Sequence, residues 1–114
     1  MNKEIDTIIG RSVHVIIDRP IGSVHPKHKN LVYSLNYGYI QGLKAGDGEE
    51  QDCYILGENA PLAVFNGVVV AVIHRTNDVE DKWVVAKPGR VFSNEEIVKK
   101  TAFQEQYFDV EIIR

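Results

Sequence analysis

Asn36-Tyr37-Gly38-Tyr39-Ile40-Gln41-Gly42-Leu43 leads through Lys44-Ala45-Gly46-Asp47-Gly48-Glu49-Glu50 into Gln51-Asp52-Cys53-Tyr54-Ile55-Leu56. Aromatic and β-branched residues favour extended backbone, so Tyr37 to Leu43 and Cys53 to Leu56 are expected to be strands. The Gly-containing run Lys44 to Glu50 between them is expected to be a turn. Asp47, Glu49, Glu50 and Asp52 put four acids within six residues. Carboxylates this close repel one another unless a cation offsets them, and a hard cation such as Mg²⁺ takes oxygen ligands of this kind. Taken alone, the run also reads as a solvated acidic turn.

Upstream, Ser12 to Ile17 is β-branched and reads as a strand ending at Asp18. Pro20, Gly22 and Pro26 make Asp18 to Asn30 an irregular loop. Downstream, Asn66-Gly67 carries a turn signal, and Val68 to His74 is an apolar strand. The polar link Thr76 to Asp81 brings Asp78, Glu80 and Asp81, and Lys82 to Ala86 reads as another strand, closed by Pro88-Gly89. Ser93-Asn94-Glu95-Glu96 has capping-box form and predicts a helix from about Asn94 to Tyr107. Val98, Ala102, Phe103 and Tyr107 are expected on its buried face. Val110 to Ile113 alternates as a final strand. The whole predicts one domain over 1–114, α+β but mainly β. The expected form is a small closed or partly open OB-like barrel with one C-terminal helix packed on it. A mixed α+β sandwich is the alternative.

Sixteen acids against thirteen bases give a net charge of −3, with no basic stripe, so nucleic acid is not an expected partner. The longest apolar run, Val68 to Ile73, is too short to cross a bilayer, so no membrane association is expected. The lone Cys53 excludes an internal disulfide, and Met1 to Arg11 has no apolar stretch of signal-peptide length. A cytoplasmic location is the reading these support. His25-x-x-His28 lacks the companions of a zinc site, and no P-loop, G-x-G-x-x-G or G-x-S-x-G occurs. If the strand ends share one mouth, Asp18 and the acids of 78–81 join Asp47 and Asp52, with Lys27, Lys29, Arg75 and Lys82 beside them. Acids that hold metal with cations that hold phosphate oxygens make up the mixture phosphoryl transfer needs. The bland alternative is ordinary surface ion pairing.

The pairing of Asn36-Tyr37-Gly38-Tyr39-Ile40 with Asp47-Gly48-Glu49-x-x-Asp52 resembles the signature of the soluble (type I) inorganic pyrophosphatases. Val15-Ile16-Ile17-Asp18-x-Pro20 is similar to that family's V-x-E-x-P segment, Glu80-Asp81 to its later E-D pair, and Phe103-x-Glu105-x-Tyr107 to its late helix. The resemblance implies Mg²⁺-dependent hydrolysis of pyrophosphate. It implies Asp47, Asp52 and Asp81 as metal ligands, with Asp18 and Asp78 as outer or additional ones. Glu49 would orient the water. Tyr37 and Lys27 would join catalysis, and Lys27, Lys82, Tyr37 and Tyr107 would hold phosphate. Family members commonly form homo-oligomers, which carries over as an expectation. The chain departs from the pattern where Glu49 stands for Asp, where Phe108 stands for Lys, and where Lys82 stands one place early, with Trp83 in the usual position. Those departures leave open hydrolysis of another small phosphoanhydride or phosphate ester, or a non-catalytic binding module on the same barrel.

Overall fold

A computed structural model describes residues 8–46, 48–78 and 80–114. Among them six strands and one helix follow in the order β1 (Ser12–Arg19), β2 (Asn36–Lys44), β3 (Glu50–Ile55), β4 (Val64–Arg75), β5 (Asp81–Ala86), α1 (Asn94–Glu105) and β6 (Val110–Ile113). The sheet runs β1-β2-β3-β5-β4-β6, and an added β1–β4 pairing closes the first five strands into a barrel. All pairings are antiparallel except β3 with β5. β4 is long enough to pair with β1 at its start and with β6 at its end. This is the barrel with one C-terminal helix that the sequence predicts.

Two apolar layers follow from the pleat. Val15, Ile17, Cys53, Ile55, Phe65, Val69, Val72, Trp83 and Val85 come from four barrel strands and fill the interior, with Ile40 of β2 against them. Tyr37, Tyr54, Ala71, Ile73, Val84 and Ala86 point the other way, and Phe92 and Ile97 cover them from the helical side. Period-two alternation puts neighbouring residues of a strand in different layers. A bulge reverses the phase. β1 has one between Ile17 and Arg19 and β4 one between Val69 and Ala71. Regular alternation would point Arg19 and Arg75 into the barrel. The two bulges turn both onto the outer face beside α1.

Asn36 and Gly38 have structural duties within β2. The Asn36 side chain is fully buried; its Oδ1 accepts from the Ile21 and Leu62 amides and its Nδ2 donates to the Ala60 carbonyl. It fastens two segments, the loop after β1 and the loop between β3 and β4, to the start of β2. A Cβ on Gly38 would lie 1.9 Å from the Ile16 carbonyl oxygen, so β1 and β2 can approach only with glycine there.

Two expectations are corrected. Asn66-Gly67 is not a turn but part of β4. A Cβ on Gly67 would lie 2.6 Å from the Ala86 carbonyl, so this glycine serves close backbone approach. The helix ends at Glu105 with Gln106 as its C-cap, and it buries Ile97, Thr101, Gln104 and Glu105. Val98 and Tyr107, expected inside, are exposed. Apolar periodicity misled here because three of the four buried residues are polar. The capping box is present as predicted, with Ser93 Oγ accepting from the Glu96 amide and Glu96 accepting from the Ser93 amide.

Candidate active site

The outer face of the barrel, where β1 and β4 end and β3 and β5 begin, opens into a cavity of about 700 Å³. Its charged floor holds Asp18, Arg19, Asp52, Glu80 and Lys82, with Tyr37 between them. Pairing register explains the convergence. Tyr37 faces Tyr54 and Tyr39 faces Asp52 across β2 and β3, and Lys82 faces Ile73 across β5 and β4. All of these lie in the outer layer.

Lys82 is the hub. Only 4% of it is exposed. Its Nζ donates to Asp52 Oδ2 at 2.7 Å and lies 2.7 Å from Glu80 Oε2. The same ammonium lies 5.6 Å from the Tyr37 ring centre. Burial alone would pull the Lys82 pKa down, but Tyr37, Asp52 and Glu80 more than offset it and hold it above its ordinary value, so Lys82 is charged. Burial pushes the Tyr37 hydroxyl well above its usual range, so it stays a neutral donor. An ammonium has three donors. Two meet carboxylates, and the Tyr37 hydroxyl bonds with both Lys82 and Asp52, so the four side chains form one network.

A second network anchors the helix to the cavity. Arg19 Nη1 donates to the Tyr33 hydroxyl at 2.6 Å, and Tyr33 donates to Gln104 Oε1 at 2.7 Å. Gln104 Nε2 donates to the Tyr54 hydroxyl at 2.7 Å, and Tyr54 donates to Glu105 Oε2 at 2.5 Å. Glu105 accepts from Arg75 twice, at 2.8 and 2.7 Å. Arg75 reaches on to Glu80 at 3.2 Å and Asp78 at 3.5 Å, and its guanidinium stacks 3.6 Å from the Phe108 ring centre. The chain thus joins one cavity arginine to the other through the buried polar side of α1. Sequence reading named Glu80 among the acids of the mouth without giving it a role, and it missed Arg19, Gln104 and Glu105 as parts of the site. Only the spacing of Glu80 and Lys82, two apart at the start of a strand, could have signalled a shared face.

Of the site residues expected from sequence, Asp18, Tyr37, Asp52, Lys82 and Tyr107 line this cavity. Asp81 does not join them: its Oδ1 meets His74 Nδ1 at 2.6 Å on the opposite face of β5. The pleat requires this, because adjacent residues 81 and 82 cannot share a face. Lys27 is exposed, with its amide donating to His25 Nδ1 at 3.0 Å, and it is not part of the lining. Neither are Glu49, on the turn before β3, and Asp78, which pairs with Arg75. Asp47 lies outside the described residues. Arg75 and Lys82 are strand residues rather than loop residues. Cys53 is a packed interior thiol, and burial pushes its pKa up.

The donor set suits Mg²⁺. Among the described residues no three His, Cys, Asp or Glu side chains gather into a metal cluster. Mg²⁺ does not need one, because it is commonly held by one or two carboxylates plus substrate phosphates and water. Asp18 and Asp52 are such a pair. Burial raises the Asp18 pKa; Arg19 opposes this, and the negative charge of Asp52 adds to it. A raised acid pKa means that ionised Asp18 costs stability, a penalty absent below the usual aspartate pKa and growing as pH rises through the folded value. In metal-free protein Asp18→Asn is therefore expected to raise the melting temperature at pH 7 by a degree or more, with the gain vanishing below about pH 4. Added Mg²⁺ should stabilise wild type more than the variant. Equal Mg²⁺ responses in calorimetric scans would remove Asp18 from the metal site.

No family model and no curated protein matches the chain. Solved structures do. The crystal structure of an inorganic pyrophosphatase from Ehrlichia chaffeensis aligns over 90% of this chain and 85% of its own, with a TM-score of 0.68 at 20% identity. That of an inorganic pyrophosphatase from Coxiella burnetii aligns over 91% and 84%, with a TM-score of 0.64 at 13% identity. One from Neisseria gonorrhoeae aligns over 92% and 76%, with a TM-score of 0.62 at 20% identity. The alignments span at least nine-tenths of this chain and most of each compared chain, and on that ground this chain has the fold of the bacterial inorganic pyrophosphatases.

Proposed function

We propose that the protein is a Mg²⁺-dependent phosphohydrolase that cleaves inorganic pyrophosphate to two phosphates. The observation that carries this reading is the meeting of Asp18 and Asp52 with Arg19 and Lys82 in one cavity, on a fold shared with proteins of that activity. Asp18 and Asp52 would hold Mg²⁺ by their carboxylate oxygens, with Asp47 as the further ligand the sequence suggests. Bound Mg²⁺ would supply charge neutralisation and a more acidic water. Lys82 would draw a phosphate oxygen by its positive charge, the Tyr37 hydroxyl beside it would exchange its present partner for that oxygen, and Arg19 would offer its guanidinium at the cavity edge. Glu80 takes the place in the site that the string match gave to Asp81, pairing with Lys82 and Arg75 so that both cations keep their positions. By resemblance Glu49, on the turn before β3 and outside the lining, remains the proposed group for orienting water and would have to swing toward the cavity to do so.

The test is phosphate release from pyrophosphate with Mg²⁺, comparing wild type with Asp52→Asn. Loss of a metal ligand and of one Lys82 partner is expected to lower the rate at least tenfold, about 1.4 kcal/mol in barrier. Equal rates, or no Mg²⁺-dependent release from wild type, would overturn the reading. We further propose a homo-oligomer in the cytoplasm, which sedimentation and cell fractionation would test.

A further inference from the structure

The cavity is larger and less uniformly polar than pyrophosphate requires. Pockets of about 300–1,000 Å³ enclose drug-sized organic ligands, and this one measures about 700 Å³. Its two parts differ in chemistry. The strand ends form the charged floor. Another part of the lining, a wall, comes from the loop that precedes β2 and from the segment just after α1; it presents His25, His28, Lys29 and Tyr107, with Phe108 stacked on Arg75. The His25 and His28 ring centres are 4.7 Å apart, and His25 lies nearly parallel to Tyr33, 6.2 Å away. Tyr107 is 68% exposed and, among the described residues, takes part in no hydrogen bond or ring contact. Exposed rings beside an anion site are stacking surfaces waiting for a flat partner.

His25 is held as a neutral ring. Its Nδ1 accepts from the Lys27 amide, which leaves the proton on Nε2. Burial, then the charges of Arg19, His28 and Lys27, lower its pKa. A neutral imidazole face stacks on a heterocycle without repelling a cationic edge. Asn30, also in the wall, carries the amide donors and acceptor that base edges match.

We infer that this cavity takes a phosphoanhydride bearing an aromatic heterocycle, a nucleoside diphosphate, with the phosphates on the Asp18–Lys82 floor and the base against the His25–Tyr107 wall. The inference rests on the phosphohydrolase reading above and names its substrate class. In the reaction the oxygen of water bonds to the terminal phosphorus. The bridging P–O bond breaks with its electron pair on the nucleoside monophosphate, and the water's proton passes to solvent. Nucleoside diphosphate and water yield nucleoside monophosphate, phosphate and a proton.

The experiment compares ADP and pyrophosphate with Mg²⁺, by calorimetric binding of their non-hydrolysable methylene analogues to wild type and by phosphate release from wild type. Stacking of one base is worth roughly a fivefold to hundredfold gain in affinity. ADP is expected to bind at least fivefold more tightly than pyrophosphate and to release phosphate. His28→Ala should lower ADP affinity at least threefold and change pyrophosphate affinity less than twofold. His25→Phe, which keeps a flat ring, should retain ADP binding where His25→Ala loses it. If pyrophosphate is bound and cleaved while ADP binds no better and yields no phosphate, this inference falls and the pyrophosphatase reading stands. If neither compound binds or is cleaved, both fall. If ADP binds but the histidine variants leave its affinity unchanged, the assigned wall is wrong and the inference is overturned.

Discussion

Lys82→Met is expected to cost about 3 kcal/mol of folding stability and to remove the proposed Mg²⁺-dependent hydrolysis. The methionine keeps most of the side-chain volume, so the loss is electrostatic rather than a cavity effect. Asp52 and Glu80 would face one another across the vacated position without the ammonium that lies 2.7 Å from each. Breaking a buried ion pair typically costs about 3–5 kcal/mol because a desolvated charge is left uncompensated. Here the carboxylates are about one-third exposed, which lowers the figure toward the bottom of that range. Urea titration measures it. The double variant Lys82→Met with Asp52→Asn should recover part of the loss, because the two sites share one interaction. If the effects simply add, the coupling assigned to this pair is absent.

Glu105→Ala is the second large effect, expected at about 3 kcal/mol, or a melting point lower by roughly 10 °C. Glu105 is 3% exposed and takes two hydrogen bonds from Arg75 and one from Tyr54. Its removal strands a guanidinium that remains nearly buried, with only the longer contacts to Glu80 and Asp78. Arg75 is held above its ordinary pKa: burial works against the charge, and Glu105 is the chief reason it survives. Glu105→Gln keeps an acceptor and should lose about half as much. Denaturant midpoints of the two variants check this, and equal stability of Glu105→Ala and wild type would refute the assignment.

The strands were legible because their apolar content is high and their turns carry glycine or proline; Val110–Ile113 was read with its observed limits. The helix start was legible because capping is local: Ser93 and Glu96 are three residues apart and bond only one another's backbone. The buried face of α1 was not, because Gln104 and Glu105 are inside only by virtue of Tyr33, Tyr54 and Arg75, residues at least thirty positions away. The site was legible in its residue types and partly in its positions. Asp18, Tyr37, Asp52, Lys82 and Tyr107 could be named, but a string match cannot follow a pleat. It matched Glu80-Asp81 as a pair and gave the metal role to Asp81, which the strand turns toward His74, while Glu80 is the member that lines the cavity. Arg19 and Arg75 reach the cavity through bulges, which one-residue phase shifts in an otherwise regular pattern do not announce.

The most direct test is a crystal soaked with Mn²⁺ as an anomalous-scattering stand-in for Mg²⁺, with a non-hydrolysable pyrophosphate analogue added. The account predicts a metal peak against the Asp18 and Asp52 carboxylates and analogue oxygens within hydrogen-bond reach of Lys82. An empty floor, or metal gathered at Asp81 and His74 instead, would contradict it.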